Sequence, residues 1–302
     1  VDSVILIDGE QSSEVSALDR GLLYGQGLFE TIRVVGGKLP LLDLHLQRLL
    51  GDCEKVCISA PAASQLHGYI KQVLSVAGEA LPTLSGRLKI LVTGGNAGAG
   101  YAAEDSAKAR VILQFFPVPP YVVDTVSACI CNTALADSLL AGVKHCNRLE
   151  QVLAANEIRA KQCQEGIVLD QRGNIVEGVA SNLVFQVGGE LLTPQLKSAG
   201  VAGVMRQYLL QRKRIKEAEG PIPLNILAHA EQVYFINSFR GAWALDRLVI
   251  GESAHDDRAI LSLKNTAKGA SLREGGRIVL TYNKSAQRQQ FVDDVNAVFA
   301  QS

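Results

Sequence analysis

Three prolines in four residues, Pro117-Val-Pro-Pro120, constrain this chain more than any other stretch. Each fixes its own φ, lacks a backbone N–H and biases the preceding residue toward extended structure, so neither a helix nor a central strand runs through. At 302 residues and 47% hydrophobic the chain is long enough for two cores. We therefore read 1–116 as a small N-terminal α+β domain, 117–120 as the interdomain linker and 121–302 as a larger C-terminal domain.

Periodicity fills in both sides. Before the prolines come a hairpin at 7–10, a strand near 28–35, a Val-Val-Gly-Gly turn and a helix near 42–57 on which Leu42, Leu46, Leu49, Cys53 and Val56 form an apolar stripe. A helix over 64–77 and strands over 87–93 and 110–116 follow. After the prolines the pattern predicts a strand near 125–131, a helix over 148–163, and a hairpin of 166–170 with 174–177. Strands at 181–187 and 190–193, a helix opening at Gly203, a buried strand 232–237 and a final helix near 285–300 complete it. The segment from Gly251 to about Gly276 reads as loop-rich.

Thirty basic and thirty acidic residues give no net charge, and the pI is near 7.1, so no global field favours nucleic acid or an anionic membrane. A small-molecule partner is expected. The first residues lack the basic flank of a leader peptide, and nowhere do eighteen apolar residues run together. Cys53, Cys57, Cys129, Cys131, Cys146 and Cys163 show no repeated metal spacing, which suits reduced thiols in a cytoplasm. The five histidines form no i,i+4 pair, so no metal is expected.

The chemistry-bearing run is Ala141-Gly-Val-Lys-His-Cys-Asn-Arg-Leu-Glu-Gln-Val-Leu153. Asn147 with Glu150 three residues on reads as a capping-box variant, starting a helix whose Leu149, Val152 and Leu153 face a core. Lys144 just before it is either a snorkelling surface lysine or an amine nucleophile of the Schiff-base kind. Glu177, at the end of one apolar strand and before another, is either an exposed hairpin-end carboxylate or the acidic partner of a pyridine nitrogen. Asn182 is either a turn residue or a polar group orienting the same ring. The glycines of Gly200-Val-Ala-Gly-Val-Met-Arg206 precede a helix, where free N–H groups suit a phosphate, and Arg48 lies on the flank of its helix's stripe as a second anchor or a surface arginine.

Together these positions resemble the fold-type IV pyridoxal-phosphate family, which includes branched-chain and D-amino-acid aminotransferases and aminodeoxychorismate lyases. The markers are Asp19-Arg20-Gly21, Tyr24-Gly-Gln-Gly-Leu-Phe-Glu-Thr-Ile-Arg33, His45-Leu-Gln-Arg-Leu49, Lys144, Glu177-Gly-Val-Ala-Ser-Asn-Leu183 and Gly203-Val-Met-Arg206. The resemblance implies an α+β fold, a small sandwich-like domain and a larger barrel-like domain with helices. It implies pyridoxal 5'-phosphate as cofactor and a homodimer. It makes Lys144 the Schiff-base and proton-transfer residue, Arg48 and the Val204 and Met205 amides the phosphate ligands, Glu177 the pyridine-nitrogen partner and Asn182 a further cofactor contact. The Lys-His-Cys-Asn-Arg-Leu-Glu-Gln-Val run and Thr31 look more like the lyases than the aminotransferases, with Thr31 assisting proton transfer and Arg33 and Tyr101 as substrate contacts. Gly94 and Ala99 stand where the lyases often carry loop arginines, and Trp243-Ala244 where aminotransferases carry a phosphate-binding threonine.

Overall fold

Asp8 and Gly9 both adopt left-handed backbone, with φ of 53° and 89°. Two such residues make the tight turn whose twist matches paired strands, and they join β1 (Val4–Ile7) to β2 (Glu10–Gln11). The structure, a computed structural model, describes all residues except 1–2, 82, 97, 99, 103–106, 119–124, 251–271, 275–276, 283–285 and 301–302. The chain forms two compact units: Val1–Tyr121 with Val143–Asn147 and Val298–Ser302, and Val122–Gly142 with Arg148–Ala297. The lysine segment is thus part of the first unit. Of the proline run, Pro117 ends a strand and Pro119 and Pro120 lie outside the described residues.

In the first unit the described residues include β3 (Gly27–Val34), β4 (Gly86–Thr93) and β5 (Arg110–Pro117), which extend the hairpin into an antiparallel sheet ordered β2-β1-β5-β4-β3. Strand alternation sends Leu28, Ile32, Val34, Leu88, Ile90, Leu113 and Phe115 inward, all buried. Against them pack α2 (Leu42–Lys55) through Leu46, Leu49 and Cys53, and α3 (Ala63–Ala80) through Leu66, Ile70 and Val73. The opposite sheet face carries Phe29, Thr31 and Arg33, with Lys89 paired opposite Thr31.

The second unit is a curled, half-barrel sheet, which with the first unit's layers makes the chain a mixed α+β protein. Its spine runs β9 (Asn182–Val187), β13 (Gln232–Asn237), β14 (Gly241–Ile250), β6 (Thr125–Leu135), β7 (Glu165–Asp170) and β8 (Asn174–Gly178). β10 (Glu190–Thr193) extends the β9 edge. β6 pairs in parallel with β7, which requires a crossover, and α4 (Leu149–Ala160) lies on it. Leu183, Phe185, Val233, Phe235, Trp243 and Leu245 fill the core. The 10-residue β14 was not among the strands expected from sequence.

One expectation is overturned. Asn147 does not cap α4; Arg148 stands at the cap without a side-chain bond, and the Asn147 amide donates to Gly25 O at 3.2 Å. Glu150 accepts from the Ala136 N–H at 3.0 Å instead of closing a capping box. Leu149, Val152 and Leu153 are 77%, 53% and 57% exposed, while Ala154 faces the core. Leaving Leu149 and its neighbours outside rotates the helix so that a small residue meets the sheet. Most of the 251–276 segment lies outside the described residues. The last helix, Ala286–Asn296, is shorter than expected and passes into a 3-10 turn at Ala297–Phe299.

Candidate active site

Lys144 is held by backbone pairing. The Phe29 N–H donates to Lys144 O at 3.1 Å and the Cys146 N–H to Gly27 O at 2.8 Å, so residues 144–146 lie along the free edge of β3. The Lys144 ammonium sits 4.3 Å from the centre of the Phe29 ring. Because β3 alternates, Thr31 and Arg33 share the Phe29 face. Lys89 approaches the same ring, at 5.3 Å. One sheet face thereby gathers an aromatic platform, two amines and a hydroxyl. Arg33 stacks on Phe299 at 4.4 Å, and burial lowers its pKa.

Beneath that face lies a buried ionic cluster. Glu30, 1% exposed, accepts from Arg48 Nε at 2.8 Å and Nη2 at 2.6 Å, and meets His45 Nδ1 at 2.6 Å. Arg48 and His45 come from successive turns of α2, three residues apart on one face. Burial alone would raise the Glu30 carboxyl, but the Arg48 and His45 charges and hydrogen bonds hold it down at about 2. Burial pushes His45 below its ordinary value, aided by Arg48 and Lys144 and opposed by Glu30. The contact with Glu30 assigns a proton to His45 Nδ1. Arg48 is no surface arginine: its fork is fixed edge-on by Glu30.

In the second unit, Glu177 is buried and its Oε2 accepts from the Val201 N–H at 2.8 Å. Asn182 Nδ2 donates to Val201 O, also at 2.8 Å. The two side chains clamp opposite edges of one peptide segment, the one leading into α5 (Val204–Gln211). Gly203 precedes α5 with no side-chain cap, so the first amides, those of Val204 and Met205, have no intrahelical acceptor. A Cβ at Gly203 would fall 2.0 Å from Asn182 Oδ1. Arg206 points away from this end: it is buried and donates to Pro194 O at 2.9 Å and to Glu217. An uncapped helix N-terminus over a buried carboxylate suits an anion and a ring nitrogen respectively.

Residues 27–248 match the amino-transferase class IV family. The chain belongs to that family. Its enzymes work with pyridoxal phosphate. The chain is 30% identical over 243 residues to an aminodeoxychorismate lyase of Vibrio harveyi, covering 78% of this chain and 88% of that one. It is 28% identical over 234 residues to a putative branched-chain-amino-acid aminotransferase of Methanocaldococcus jannaschii, covering 74% and 79%. The crystal structure of 4-amino-4-deoxychorismate lyase from Pseudomonas aeruginosa superposes with a TM-score of 0.78 at 32% identity, covering 97% of this chain and 98% of that one.

The glycine-rich segment is organised from within. Arg20, 2% exposed, donates to Gly100 O at 2.8 Å, to Tyr101 O and to Gln26 Oε1, and Tyr24 Oη accepts from the Gly100 N–H at 3.1 Å. A Cβ at Gly94 would lie 2.7 Å from Gln26 Oε1, so any side chain there would displace the Gln26 amide; Ala99 lies outside the described residues. Tyr101 is 90% exposed, its ring 5.4 Å from that of Tyr24. Trp243 and Ala244 are interior residues of β14, and Asn237 spends its side chain on Ala180 O and the Phe239 and Arg240 N–H groups.

Sequence reasoning passed over Glu30, His45 and Lys89. The signal for the first two was present: a glutamate on the inward parity of an apolar strand, and a histidine one helical turn from an arginine on a face otherwise apolar. Lys89 was signalled only by register, since nothing local marks a lysine in β4 as the cross-strand neighbour of Thr31.

Proposed function

We propose that this chain is a pyridoxal-phosphate-dependent carbon–oxygen lyase that converts 4-amino-4-deoxychorismate to 4-aminobenzoate and pyruvate. The observation that carries the reading is the sheet face on which the Lys144 amine and the Thr31 hydroxyl both lie, beside the Phe29 ring. Transamination needs one amine to move a proton between two carbons; elimination also needs a donor for the departing fragment, and Thr31 supplies one. The similarity to two lyases, one over nearly the whole chain, supports the same choice.

Pyridoxal phosphate, when bound, supplies the electron sink for the carbon next to the substrate amine. Lys144 is the residue whose amine would hold it, and the same amine would take the proton from the amine-bearing ring carbon of the substrate. The carbon–oxygen bond to the enolpyruvyl group then breaks, and Lys144 or Thr31 returns a proton to the leaving enolate carbon, giving pyruvate. The ring left behind is aromatic, which drives the step forward. Arg48, aimed by Glu30, and the Val204 and Met205 amides would hold the phosphate. Glu177 would keep the pyridine nitrogen protonated, and Asn182 fixes the segment that would present the amides. Lys89 and Arg33 supply the positive charge that meets the substrate carboxylates, in place of loop arginines, and Tyr101 lies at the edge of that group.

The 28% identity to a putative aminotransferase keeps one other reading in view, amino transfer on the same scaffold. Purified protein given aminodeoxychorismate decides between them. The lyase releases 4-aminobenzoate and pyruvate in equal amounts with no oxo-acid acceptor; turnover that waits on a 2-oxo acid and yields no 4-aminobenzoate overturns it.

Two further parts belong to this reading. The protein works as a homodimer, for which the exposed apolar residues of α4 provide a surface. It is cytoplasmic, a reading that the six cysteines without repeated spacing suit. Among the described residues no helix is long and apolar enough to cross a membrane.

A further inference from the structure

The sheet face beside Lys144 concentrates one sign of charge. Register sets Phe29, Thr31 and Arg33 of β3 opposite Leu91, Lys89 and Arg87 of β4, and these opposite Ile112, Gln114 and Phe116 of β5. None of these nine residues is acidic and three are cations, to which Lys144 adds a fourth over Phe29. In a chain with thirty residues of each sign, a face of this kind attracts an anion. Arg33 lies four residues along β3 from Phe29, roughly 13 Å at Cα, which places it to meet an acidic group remote from the amine that reacts at Lys144.

Every cation on this face rests on a ring. Lys144 and Lys89 share Phe29, and Arg87 lies 4.9 Å from the centre of Phe116, its register neighbour on β5. Arg33 takes its ring from a distant part of the chain: Phe299, on the 3-10 turn Ala297–Phe299, with its centre 4.4 Å from the guanidinium. Val298 and Phe299 belong to the first unit, and Phe299 is 6% exposed. Arg33 and Arg87 stand directly opposite each other across β3 and β4, where like charges repel. Phe116 draws Arg87 toward β5, and Phe299 gives Arg33 a flat support of its own. A guanidinium stacked on a ring keeps its N–H donors in the plane of the fork, turned away from the ring, and partial burial strengthens the contact.

We propose that Phe299 is a positioning residue of the substrate site: its ring braces Arg33 on the Lys144 face, and Arg33 so held receives the substrate carboxylate remote from the reacting amine. The identity of that substrate rests on the lyase reading above. Phe299 itself touches neither substrate nor cofactor and moves no proton. It sets where a positive charge stands, so it governs binding rather than the chemical step. Without the ring, Arg33 keeps its charge but loses its fixed orientation against Arg87, and a carboxylate must then order it on binding.

The test compares the holoenzyme with Phe299→Leu, which removes the ring and keeps the apolar bulk, and Phe299→Tyr, which keeps the ring. We expect Phe299→Leu to raise KM for aminodeoxychorismate about five- to tenfold with kcat nearly unchanged, and Phe299→Tyr to stay near wild type. Arg33→Lys should raise KM by a similar factor, and adding Phe299→Leu to it should change little, because the ring acts through the guanidinium. A second readout needs no turnover: modification by phenylglyoxal, followed by peptide mapping. Arg33 should react more slowly than the exposed Arg87 in the wild type, and several-fold faster in Phe299→Leu than in the wild type. An unchanged KM, a fall in kcat at constant KM, fully additive effects in the double variant, or an Arg33 reactivity indifferent to Phe299 overturns the proposal. A wild type that releases no 4-aminobenzoate overturns the lyase reading and the carboxylate role with it, while the phenylglyoxal rates still decide whether Phe299 braces Arg33. Should Phe299→Leu fail to fold, Phe299→Met removes the ring with a more adaptable side chain.

Discussion

Glu30 shows how one carboxylate organises a site it never touches. Its two oxygens are shared between the Arg48 fork and His45 Nδ1 in a space closed to water. Glu30→Gln keeps the shape but leaves Arg48 buried opposite a neutral amide, and losing one partner of a buried pair costs about 3–5 kcal/mol. The carboxyl is depressed from 4.5 to about 2, so its contribution is present above about pH 4.5 and is lost as pH falls through the folded value, at most about 3 kcal/mol over that window. Urea unfolding of wild type and Glu30→Gln should therefore differ most near neutrality, the gap narrowing below pH 4.5 and closing only as pH falls to about 2; a gap that does not depend on pH means the charge is not what matters. His45, also depressed, adds acid lability of the same sign below its ordinary value. On the sheet face above, Lys89→Met removes a charge but little volume. It should raise KM for aminodeoxychorismate by about tenfold, roughly the value of one charge-assisted hydrogen bond, and leave kcat nearly unchanged. A fall in kcat at constant KM would place Lys89 in proton transfer instead.

At the level of elements, α5 depends on two side chains from neighbouring strands rather than on a cap of its own. Gly203→Ala puts a methyl against Asn182 Oδ1 and forces that amide off Val201 O. We expect a stability loss of about 1–3 kcal/mol from the broken buried hydrogen bond. Pyridoxal-phosphate affinity, measured by reconstituting the apoprotein, should weaken further because the Val204 and Met205 amides shift. A variant that loses stability while binding the cofactor as before would detach the α5 terminus from the phosphate. Such elements also show what the sequence makes legible. Helix α2 and strands β3, β4 and β7 could be placed because their apolar periods match the burial they achieve. Lys144, Glu177, Arg48 and Gly203 stood out as residue types in improbable local surroundings. The α4 cap was misread because Asn147, which has the right chemistry for a cap, is used by Gly25, more than a hundred positions earlier. Lys89 depends on cross-strand register, which is written in no local window of the chain, whereas the inward parity of Glu30 on an apolar strand was readable and was passed over.

At the scale of the molecule, α4 makes the strongest demand. Leu149, Val152 and Leu153 recur at helical spacing on its outer face, all exposed. Three large apolar side chains on one stripe give a monomer an unfavourable surface, whereas a two-fold axis brings the same stripe against itself and buries it twice. Each leucine so covered contributes about 1.5–3 kcal/mol. Replacing Leu149 and Leu153 together by lysine sets four like charges into a two-fold interface while leaving the inward Ala154 untouched. Light scattering after size exclusion should then show a dimer for the wild type and a monomer for the double variant, with α4 still formed by circular dichroism. Lysine is as good a helix former as leucine, so a loss of helix is not the expected route. If the wild type is monomeric, or the double variant keeps the wild-type mass, the exposed face of α4 is not the dimer surface.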